Sequence, residues 1–382
     1  MKYVIIFALC LFITMLVGCN TPTKHSFSED GVTIFCGFRA DKFDIKSLLD
    51  GGIEFIPLET NSESLIGKIS SIRFYKGNFY VVDSQQERVI IFNENGKHIS
   101  TISHKGRGPC EYIQLFDMRI NKGHIVEILG SQNPTKLIRY DEYSQECVEI
   151  SLPNTSANQF IPTENGYIFH QAGGVSDKEY QYFIFITDKE GNIEKKLLPS
   201  HPPLGHSIAA PNNFYMINDT VVFFMHLDEN IYQITQEGEM TIRYSVNFGN
   251  SHLPDNVKET YKIDFFQFRE QAENYAAGPF GVCETRTHLY FRYIAPNQNN
   301  NTFHVYFNKT NRVVHTFQTY CTISLAILDP LSVTDDDRFI SFIDTANLEY
   351  IDREKKENQD LISIYDSLPE FANPILVLYK LR

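Results

Sequence analysis

Five histidines are the residues of this sequence best suited to chemistry. Imidazole is the commonest nitrogen ligand of zinc, and three histidines around one ion leave an open position where bound water becomes acidic. A carboxylate such as Asp228 or Glu229 could then act as general base. One interpretation is therefore a metal-dependent lyase or hydrolase. Its candidate ligands are His170, His201, His206, His226 and His252. No compact His-x-x-x-His spacing joins them, so solvent-exposed loop histidines are the alternative.

A glycine-rich segment offers a second kind of chemistry. The backbone amides around Gly106 and Gly108 could form an anion-binding nest, with positive charge from Lys105 and Arg107. Glu111 belongs to the same candidate ligand-binding set. The alternative is a turn between two strands whose charged side chains pack against a neighbour, and turn chemistry alone favours this alternative.

Other signals for metal binding or catalysis are weak. The acidic run Asp335–Asp337 could hold calcium, but its spacing does not match an EF-hand loop, and a solvated turn is favoured. The sequence has no Gly-x-Ser-x-Gly, Walker, Gly-x-Gly-x-x-Gly or His-Glu-x-x-His motif. A catalytic set drawn from distant segments would escape this search. Binding without catalysis is favoured, and zinc or calcium is the cofactor of the alternative.

Short hydrophobic runs form the elements that must position these residues. Runs rich in Ile, Val, Phe and Tyr alternate with Gly, Asn and Asp turns, which predicts an all-β protein. The clearest unit, Ile69–Ile102, has four runs joined by three turns, and similar units recur about every 47 residues. A repeated four-stranded antiparallel meander of this length predicts a six-bladed β-propeller. The predicted blades are 69–102, 115–152, 157–198, 211–247, 280–318 and a sixth from Thr322 onward.

The sixth blade shows only three obvious strands, the last ending with Pro374–Leu381. An unpaired run, Ile53–Glu59, precedes the first blade. We expect this N-terminal strand to complete the last blade, because the pairing would close the propeller and remove two exposed strand edges. The propeller is therefore assigned to residues 45–382.

The first residues have the features of a processing signal. Met1-Lys2 is followed by the apolar run Val4–Val17, which is too short to span a membrane comfortably. The run ends in Leu16-Val17-Gly18-Cys19, which resembles the lipobox of bacterial lipoproteins. This resemblance implies that Cys19 carries lipid and becomes the first mature residue; a plain signal peptide is the alternative. Residues 1–18 are assigned to the signal peptide and residues 19–44 to the lipid anchor and a tether. Asn20 provides no acidic retention signal, which favours the outer membrane of the cell envelope.

Two resemblances to known proteins accompany the repeat. Blade 1 resembles an NHL-type propeller repeat at Ile69–Ile72, Gly77–Ser84, Arg88–Phe92 and Asn95–Lys97. The lipobox, the entry strand Ile56–Glu59 and the terminal Asn373–Lys380 resemble more closely the six-bladed β-propeller lipoproteins of Gram-negative anaerobes. The second resemblance spans most of residues 45–382. It implies a propeller in the cell envelope without a settled activity.

The cysteines give a weak disulfide signal. Outside the signal peptide and Cys19, the chain has Cys36, Cys110, Cys147, Cys283 and Cys321. This odd, scattered set favours buried hydrophobic residues over one or two bridges, and the pairing stays open. Cys110 also stands where the NHL-type loop usually has glycine. Since cysteine does not adopt positive φ cheaply, we expect the loop to bend differently.

Strand parity and net charge limit the partners. Loops between second and third strands share a face with the connections between blades, and nearly all long loops fall there, so this face is the predicted binding face. The opposite face is expected to have tight turns and little chemistry. The formal net charge of −13 argues against nucleic acid. The expected partners are the membrane, through the lipid anchor, and a protein, peptide or glycan ligand.

Overall fold

Six sheets, each built on four antiparallel strands, make up the computed structural model of the protein, and two of them carry additional N-terminal strands at their edges. They form a six-bladed β-propeller, as the repeat predicts. The structure describes residues 27–28, 31–37, 40–121, 125–131, 134–141, 146–152, 155–171, 179, 181–199, 213–225, 228–254, 274–296, 302–320 and 329–382.

The strands follow the predicted blades closely. Four N-terminal strands come first: β1 (Phe27–Ser28), β2 (Gly31–Phe35), β3 (Ala40–Phe43) and β4 (Leu49–Pro57). Blade 1 contains β5 (Ile69–Tyr75), β6 (Asn78–Asp83), β7 (Arg88–Asn93) and β8 (His98–Ile102). Blade 2 contains β9 (Gln114–Ile120), β10 (Ile125–Ser131), β11 (Thr135–Asp141) and β12 (Cys147–Leu152). Blade 3 contains β13 (Ala157–Pro162), β14 (Gly166–Gln171), β15 (Tyr182–Asp188) and β16 (Ile193–Pro199).

The second half of the chain repeats the pattern. Blade 4 contains β17 (Phe214–Ile217), β18 (Thr220–Phe224), β19 (Asn230–Ile234) and β20 (Met240–Asn247). Blade 5 contains β21 (Ala277–Glu284), β22 (His288–Ile294), β23 (Thr302–Asn308) and β24 (Val314–Tyr320). Blade 6 contains β25 (Ser332–Val333), β26 (Phe339–Ile343), β27 (Ile375–Leu381) and the N-terminal β4. Short 3-10 helices cover Ile45–Ser47, Gly249–Ser251, Thr345–Tyr350 and Lys356–Asn358, and helix α1 covers Gln359–Asp366. Within the described ranges no helix is long and apolar enough to cross a membrane.

Two-residue turns make the hairpins between the first and second strands of blades 1 and 4. Lys76 and Gly77, between β5 and β6, have φ of 47° and 82°. Asn218 and Asp219, between β17 and β18, have φ of 48° and 58°. Positive φ at both central residues gives the turn a twist that matches the flanking strands, and Gly, Asn and Asp tolerate it best. These turns bring the ends of the first strands close to the propeller axis on one face.

The closing strand confirms the predicted closure of the propeller. β4 pairs antiparallel with β27, with Ile56 opposite Leu376 and Ile53 opposite Tyr379. The buried Asn373 supports this junction, since its Nδ2 donates to the carbonyl oxygens of Glu59 and Ser64 at 2.7 and 2.8 Å. Both ends of the domain are thereby held in one sheet, and β27 is paired on both sides, by β26 and β4.

The hydrophobic core is divided among the six interfaces between neighbouring blades. One buried cluster lies between each pair of adjacent sheets. The cluster between blades 6 and 1, for example, packs Ile340 and Leu376 against Ile72 and Phe79. Blade strands are therefore apolar on both faces, as in β10, where five consecutive residues are buried. This accounts for the continuous hydrophobic runs in the sequence.

The segment assigned to a tether differs from the prediction. β2 pairs in parallel with β20 at the outer edge of blade 4, with Val32 opposite Tyr244. β3 pairs in parallel with β24 at the outer edge of blade 5. Residues 31–37 and 40–43 are thus attached to the propeller, because the edges of these two blades offer unpaired backbone groups. Residues 19–26 of the predicted tether, including Cys19, and the predicted signal peptide lie outside the described residues.

The cysteine expectation is wrong for one pair. Cys110 and Cys147 form a disulfide with a Cα–Cα distance of 6.3 Å. Cys110 adopts φ of 59°, so the loop keeps the backbone conformation that glycine would favour there. Cys36 and Cys283 are buried and belong to no disulfide, as expected of small hydrophobic residues, and Cys321 lies outside the described ranges.

Candidate functional site

A cavity on the propeller axis is lined by residues from all six blades. It has a volume of about 500 Å³ and opens on the face that carries the hairpins between first and second strands, which we call the hairpin face. We call the cavity itself the axial cavity. Its lining includes Arg73, Tyr75, Arg119, Ile161, Tyr215, Met216, Cys283, Glu284, Arg286, Ser332, Asp335 and Asp337. The expectation that this face has little chemistry is therefore wrong, because the first strands of all blades end there.

The cavity has apolar walls with a few charged groups. Phe74, Ile161, Ile217 and Val282 contribute hydrocarbon from four blades. Clefts of this size with apolar walls and a few placed polar groups are typical of ligand sites in proteins. The arrangement suits a ligand with an apolar body and polar substituents.

Arg119 is the central charged residue of the axial cavity. Its Nε donates to the carbonyl oxygen of Phe160 at 2.7 Å, and Nη2 donates to that of Phe214 at 3.0 Å. Nη2 also lies 2.9 Å from Oδ2 of Asp117. Because these partners belong to β13, β17 and β9, a single guanidinium connects the first strands of blades 3, 4 and 2. Burial, and secondly the charge of Arg73, lower the pKa of Arg119 to about 9, so it still carries its proton at neutral pH.

Asp117 brings blade 1 into the same network. Its Oδ1 lies 3.4 Å from Nη2 of Arg73 on β5, and its Oδ2 accepts the backbone N–H of Phe160 at 3.1 Å. Asp117 and Arg119 are two residues apart on one strand, so their side chains point to the same side. The network is buried, since the side chains of Asp117 and Arg119 are 5% and 9% exposed. These buried contacts hold the charged side chains of the network in fixed positions next to the axial cavity.

Glu284 forms a second buried network where blades 4 and 5 meet. Its Oε1 accepts from Arg243 at 2.7 Å, Tyr244 at 2.8 Å and Lys309 at 2.9 Å. Its Oε2 accepts from Tyr215 at 2.9 Å and Arg243 at 3.1 Å. Burial favours the protonated acid, but the hydrogen bonds and charges of Arg243 and Lys309 outweigh it and hold the pKa of Glu284 below its ordinary value. All its acceptor positions are in use, so it acts here as a structural anion.

The axial cavity offers no activated nucleophile among the residues described. Cys283 is the thiol in its lining, and its Sγ donates to the carbonyl oxygen of Pro330 at 3.0 Å. Burial raises the pKa of Cys283 to about 12, so the thiol stays protonated near neutral pH and is a poor nucleophile.

The acidic run at the rim is engaged in ion pairs. Asp337 accepts from Nε and from the backbone N–H of Arg286, both at 2.8 Å. Asp336 accepts from Thr334 and pairs with Arg338. Within the described part of the chain, no group of three His, Cys, Asp or Glu residues could hold a metal ion. Asp336 and Asp337 are thus held by neighbouring side chains, and Asp337 is only 12% exposed.

The predicted histidine set is only partly described. His170 is buried on β14, with its ring centroid 5.2 Å from that of Phe223 and 6.1 Å from that of Phe214. His252 is half exposed and pairs through Nδ1 with Glu229. His201, His206 and His226 lie outside the described residues. Zinc or calcium binding by the five histidines therefore stays a prediction.

The predicted nest is filled by the protein's own carboxylate. Gly108 donates its amide to Oε2 of Glu111 at 2.7 Å, and Gly106 donates to the carbonyl oxygen of Tyr112 at 2.9 Å. A Cβ on Gly106 would lie 2.0 Å from Oε2 of Glu111, so a larger residue there would displace this carboxylate. Lys105 and Arg107 are exposed. Their role in ligand binding stays a prediction.

The charged residues of the two buried networks beside the axial cavity were not among the sequence candidates. Arg73, Asp117, Arg119 and Glu284 each stand in an apolar strand without a recognised motif around them. One signal was present, because Asp117 and Arg119 have the two-residue spacing that places both on one face of a strand. Their convergence with Arg73, 44 residues from Asp117, depends on the closed ring of blades.

Comparisons with solved structures agree with the fold. A Bacteroides fragilis protein described as exported has a TM-score of 0.72 at 17% identity, covering 91% of this chain and 100% of that one. A member of the DUF4221 family from Bacteroides vulgatus has a TM-score of 0.50 at 12% identity, covering 88% and 97%. Virginiamycin B lyase from Staphylococcus aureus reaches a TM-score of 0.43 at 13% identity, over 76% and 80% of the chains. At these identities the likeness concerns the fold alone.

Comparisons of sequence identify the family. No curated protein matches the chain. The family model described as a domain of unknown function, DUF4934, matches residues 42–380, which is nearly the whole propeller together with its closing strand. The chain therefore belongs to the DUF4934 family.

Proposed function

We propose that this protein is a lipid-anchored propeller of the cell envelope that binds a ligand or a partner protein through the axial cavity. The axial cavity itself carries the proposal, because all six blades supply its lining and its charged groups are fixed by buried networks. A preorganised site of this kind binds without the cost of ordering its side chains. The expected ligands are peptides or glycans with an apolar portion, or an exposed segment of a partner protein.

Two observations support an envelope location. Stable disulfides form in oxidising compartments outside the cytoplasm, and Cys110–Cys147 is one. The Bacteroides fragilis protein with the similar fold is described as exported. The lipobox resemblance of Leu16–Cys19 adds the lipid anchor, and the absence of an acidic residue at Asn20 favours the outer membrane.

A variant that fills the axial cavity tests the binding site. Ser332 lies on β25 and lines the cavity, so Ser332→Trp should occupy it. The purified protein would be melted with a panel of short peptides and oligosaccharides. We expect at least one compound to raise the Tm of the wild type, because a ligand at about 100 times its Kd stabilises the folded state by about 2.7 kcal/mol. The same compound should not raise the Tm of Ser332→Trp.

Ser100→Trp is the matched control for this experiment. Ser100 is exposed on β8, the outer strand of blade 1, and does not line the axial cavity. This variant should respond to ligand like the wild type. A compound that stabilises Ser332→Trp as strongly as the wild type would place binding elsewhere, and a panel without any effect would count against the proposed function.

Membrane attachment is tested at Cys19. Lipid on this residue would be the sole covalent link to the membrane, so Cys19→Ala should move the protein from the membrane fraction to the soluble fraction of lysed cells. A single acyl chain binds membranes only marginally, so the several chains of a bacterial lipoprotein should give near-complete retention of the wild type. Cys10→Ala, within the predicted signal peptide, should leave the protein in the membrane fraction. Equal fractionation of Cys19→Ala and the wild type would disprove the anchor.

A further inference from the structure

A second cavity lies beside the axial cavity on the hairpin face. It has a volume of about 500 Å³ and is lined by the ends of β9 and β11 and by turns of blades 3 and 4. Ile120, Pro162 and Met216 line both cavities and form the wall between them. We call it the blade 3 cavity. Arg139 and Tyr167 also belong to its lining.

Arg139 is held in the wall of the blade 3 cavity by a buried acid. Its Nε lies 3.0 Å from Oε1 of Glu127, which is fully buried and also accepts from the hydroxyl of Tyr167 at 3.1 Å. The side chain of Arg139 is 31% exposed. Among the described residues, its Nη1 and Nη2 make no hydrogen bond. One edge of the guanidinium is therefore fixed, and the other edge is available to the cavity.

The charges beneath the two cavities do not cancel. Arg119, Glu127 and Arg139 stand in register on β9, β10 and β11. With Arg73 and Asp117 they form a partly buried group of three guanidinium ions and two carboxylates, which leaves one excess positive charge. Burial raises the pKa of Glu127 despite the opposing effects of Arg139 and Tyr167. A raised pKa reduces the negative charge with which Glu127 compensates the arginines. Glu164, Lys189 and Asp219 also line the blade 3 cavity, so the open edge of the Arg139 guanidinium, and not the net charge, favours an anion.

The walls of the blade 3 cavity indicate what kind of molecule should carry the anionic group. Ile120, Pro162, Met216 and Val221 supply hydrocarbon around the opening, and Met216 is 45% exposed. The planar fork of arginine matches the two oxygens of a carboxylate, with two parallel N–H···O bonds. We propose that the blade 3 cavity binds a carboxylate on an apolar body, such as the C-terminal residue of a peptide, through Nη1 and Nη2 of Arg139.

This inference stands beside the proposed function and does not depend on it. The axial cavity does not include Arg139, and the blade 3 cavity does not include Ser332. Glu127 acts as a positioning residue, since it pairs with Arg139 and does not line the blade 3 cavity, and Tyr167 supports Glu127 through its hydroxyl. The two sites can therefore be tested with separate variants.

A matched pair of probes tests the carboxylate. Binding of N-acetyl-L-leucine and of its neutral amide, N-acetyl-L-leucinamide, would be measured on the purified protein by NMR or calorimetry. Hydrogen bonds to charged groups contribute roughly 1.5 to 3 kcal/mol, so the acid should bind at least about tenfold more tightly than the amide. Equal binding of acid and amide would overturn the proposal.

Single-residue variants show which of the two cavities binds the acid. Arg139→Gln should reduce the affinity for the acid to that for the amide, and Arg139→Lys should lie between, because lysine keeps the charge without the fork. Arg353→Gln is the control, since Arg353 is exposed and pairs with Asp366 away from the cavity. Ser332→Trp should bind the acid like the wild type. If Ser332→Trp loses binding while Arg139→Gln retains it, the carboxylate binds in the axial cavity and the inference is wrong.

A measurement on the wild type covers the case in which Arg139→Gln does not fold. Phenylglyoxal modifies accessible guanidinium groups, and mass spectrometry can follow the peptide that contains Arg139. N-acetyl-L-leucine should protect Arg139 at concentrations where the amide gives no protection. Modification of Arg139 at the same rate with either compound would contradict the proposal.

Discussion

Replacing Arg119 by leucine is expected to lower the free energy of unfolding by about 3 to 5 kcal/mol, because removing one partner of a buried ion pair leaves the other uncompensated. Asp117, which is 5% exposed, would then have Arg73, at 3.4 Å, as its only cationic partner among the described residues. The carbonyl oxygens of Phe160 and Phe214 would also lose their hydrogen bonds from the guanidinium. Urea unfolding followed by circular dichroism would measure the difference.

The matched control for Arg119 is an exposed arginine. Arg353 pairs with Asp366 at 2.7 Å, but both side chains are more than half exposed. Arg353→Leu should therefore change the free energy of unfolding far less than Arg119→Leu does, because exposed ion pairs contribute little to stability. A loss in Arg119→Leu no larger than in Arg353→Leu would show that the axial network contributes little to stability.

Replacing Glu284 by glutamine is expected to cost about 3 kcal/mol near neutral pH, because the partly buried Arg243 and Lys309 would lose their shared counterion. The cost should shrink as the pH falls. The folded protein holds the pKa of Glu284 below its ordinary value, so the unfolded chain takes up the proton first. The stabilisation by ionised Glu284 is therefore fully present above about pH 5 and is lost as the pH falls through the folded pKa. The glutamine side chain does not titrate, so the stability of Glu284→Gln does not include this pH-dependent loss.

Urea unfolding of wild type and Glu284→Gln at several pH values between 3 and 7 would measure this effect. The difference between the two proteins isolates Glu284, because all other carboxyl groups titrate in both. Glu239→Gln is a suitable control, since Glu239 is an exposed residue beside β20. A difference between wild type and Glu284→Gln that stays constant over this pH range would contradict the assigned role.

Local sequence patterns were sufficient to predict the blades. The hairpins of blade 1 depend on residues next to each other in the chain, such as Lys76-Gly77, whose positive φ angles match the turn. The closing strand was also predictable, because a three-stranded last blade and an unpaired run before the first blade complete each other. The pairing of residues 31–37 and 40–43 of the predicted tether with the propeller was not predictable. The outer edges of blades 4 and 5 both have unpaired backbone groups, and no local pattern indicates which segment pairs with which edge.

The sequence by itself determined the fold class, the six blades and the N-terminal closure of this protein, because strand period and turn chemistry act over a few residues. Only the tertiary structure decided where the chemistry lies. Arg73, Arg119 and Glu284 come from blades 1, 2 and 5 and meet at the axis because the ring closes. Likewise, Cys110 and Cys147 pair across a separation of 37 residues. Such contacts depend on how blades pack against each other, and hydrophobic packing is set by the whole ring rather than by any local motif.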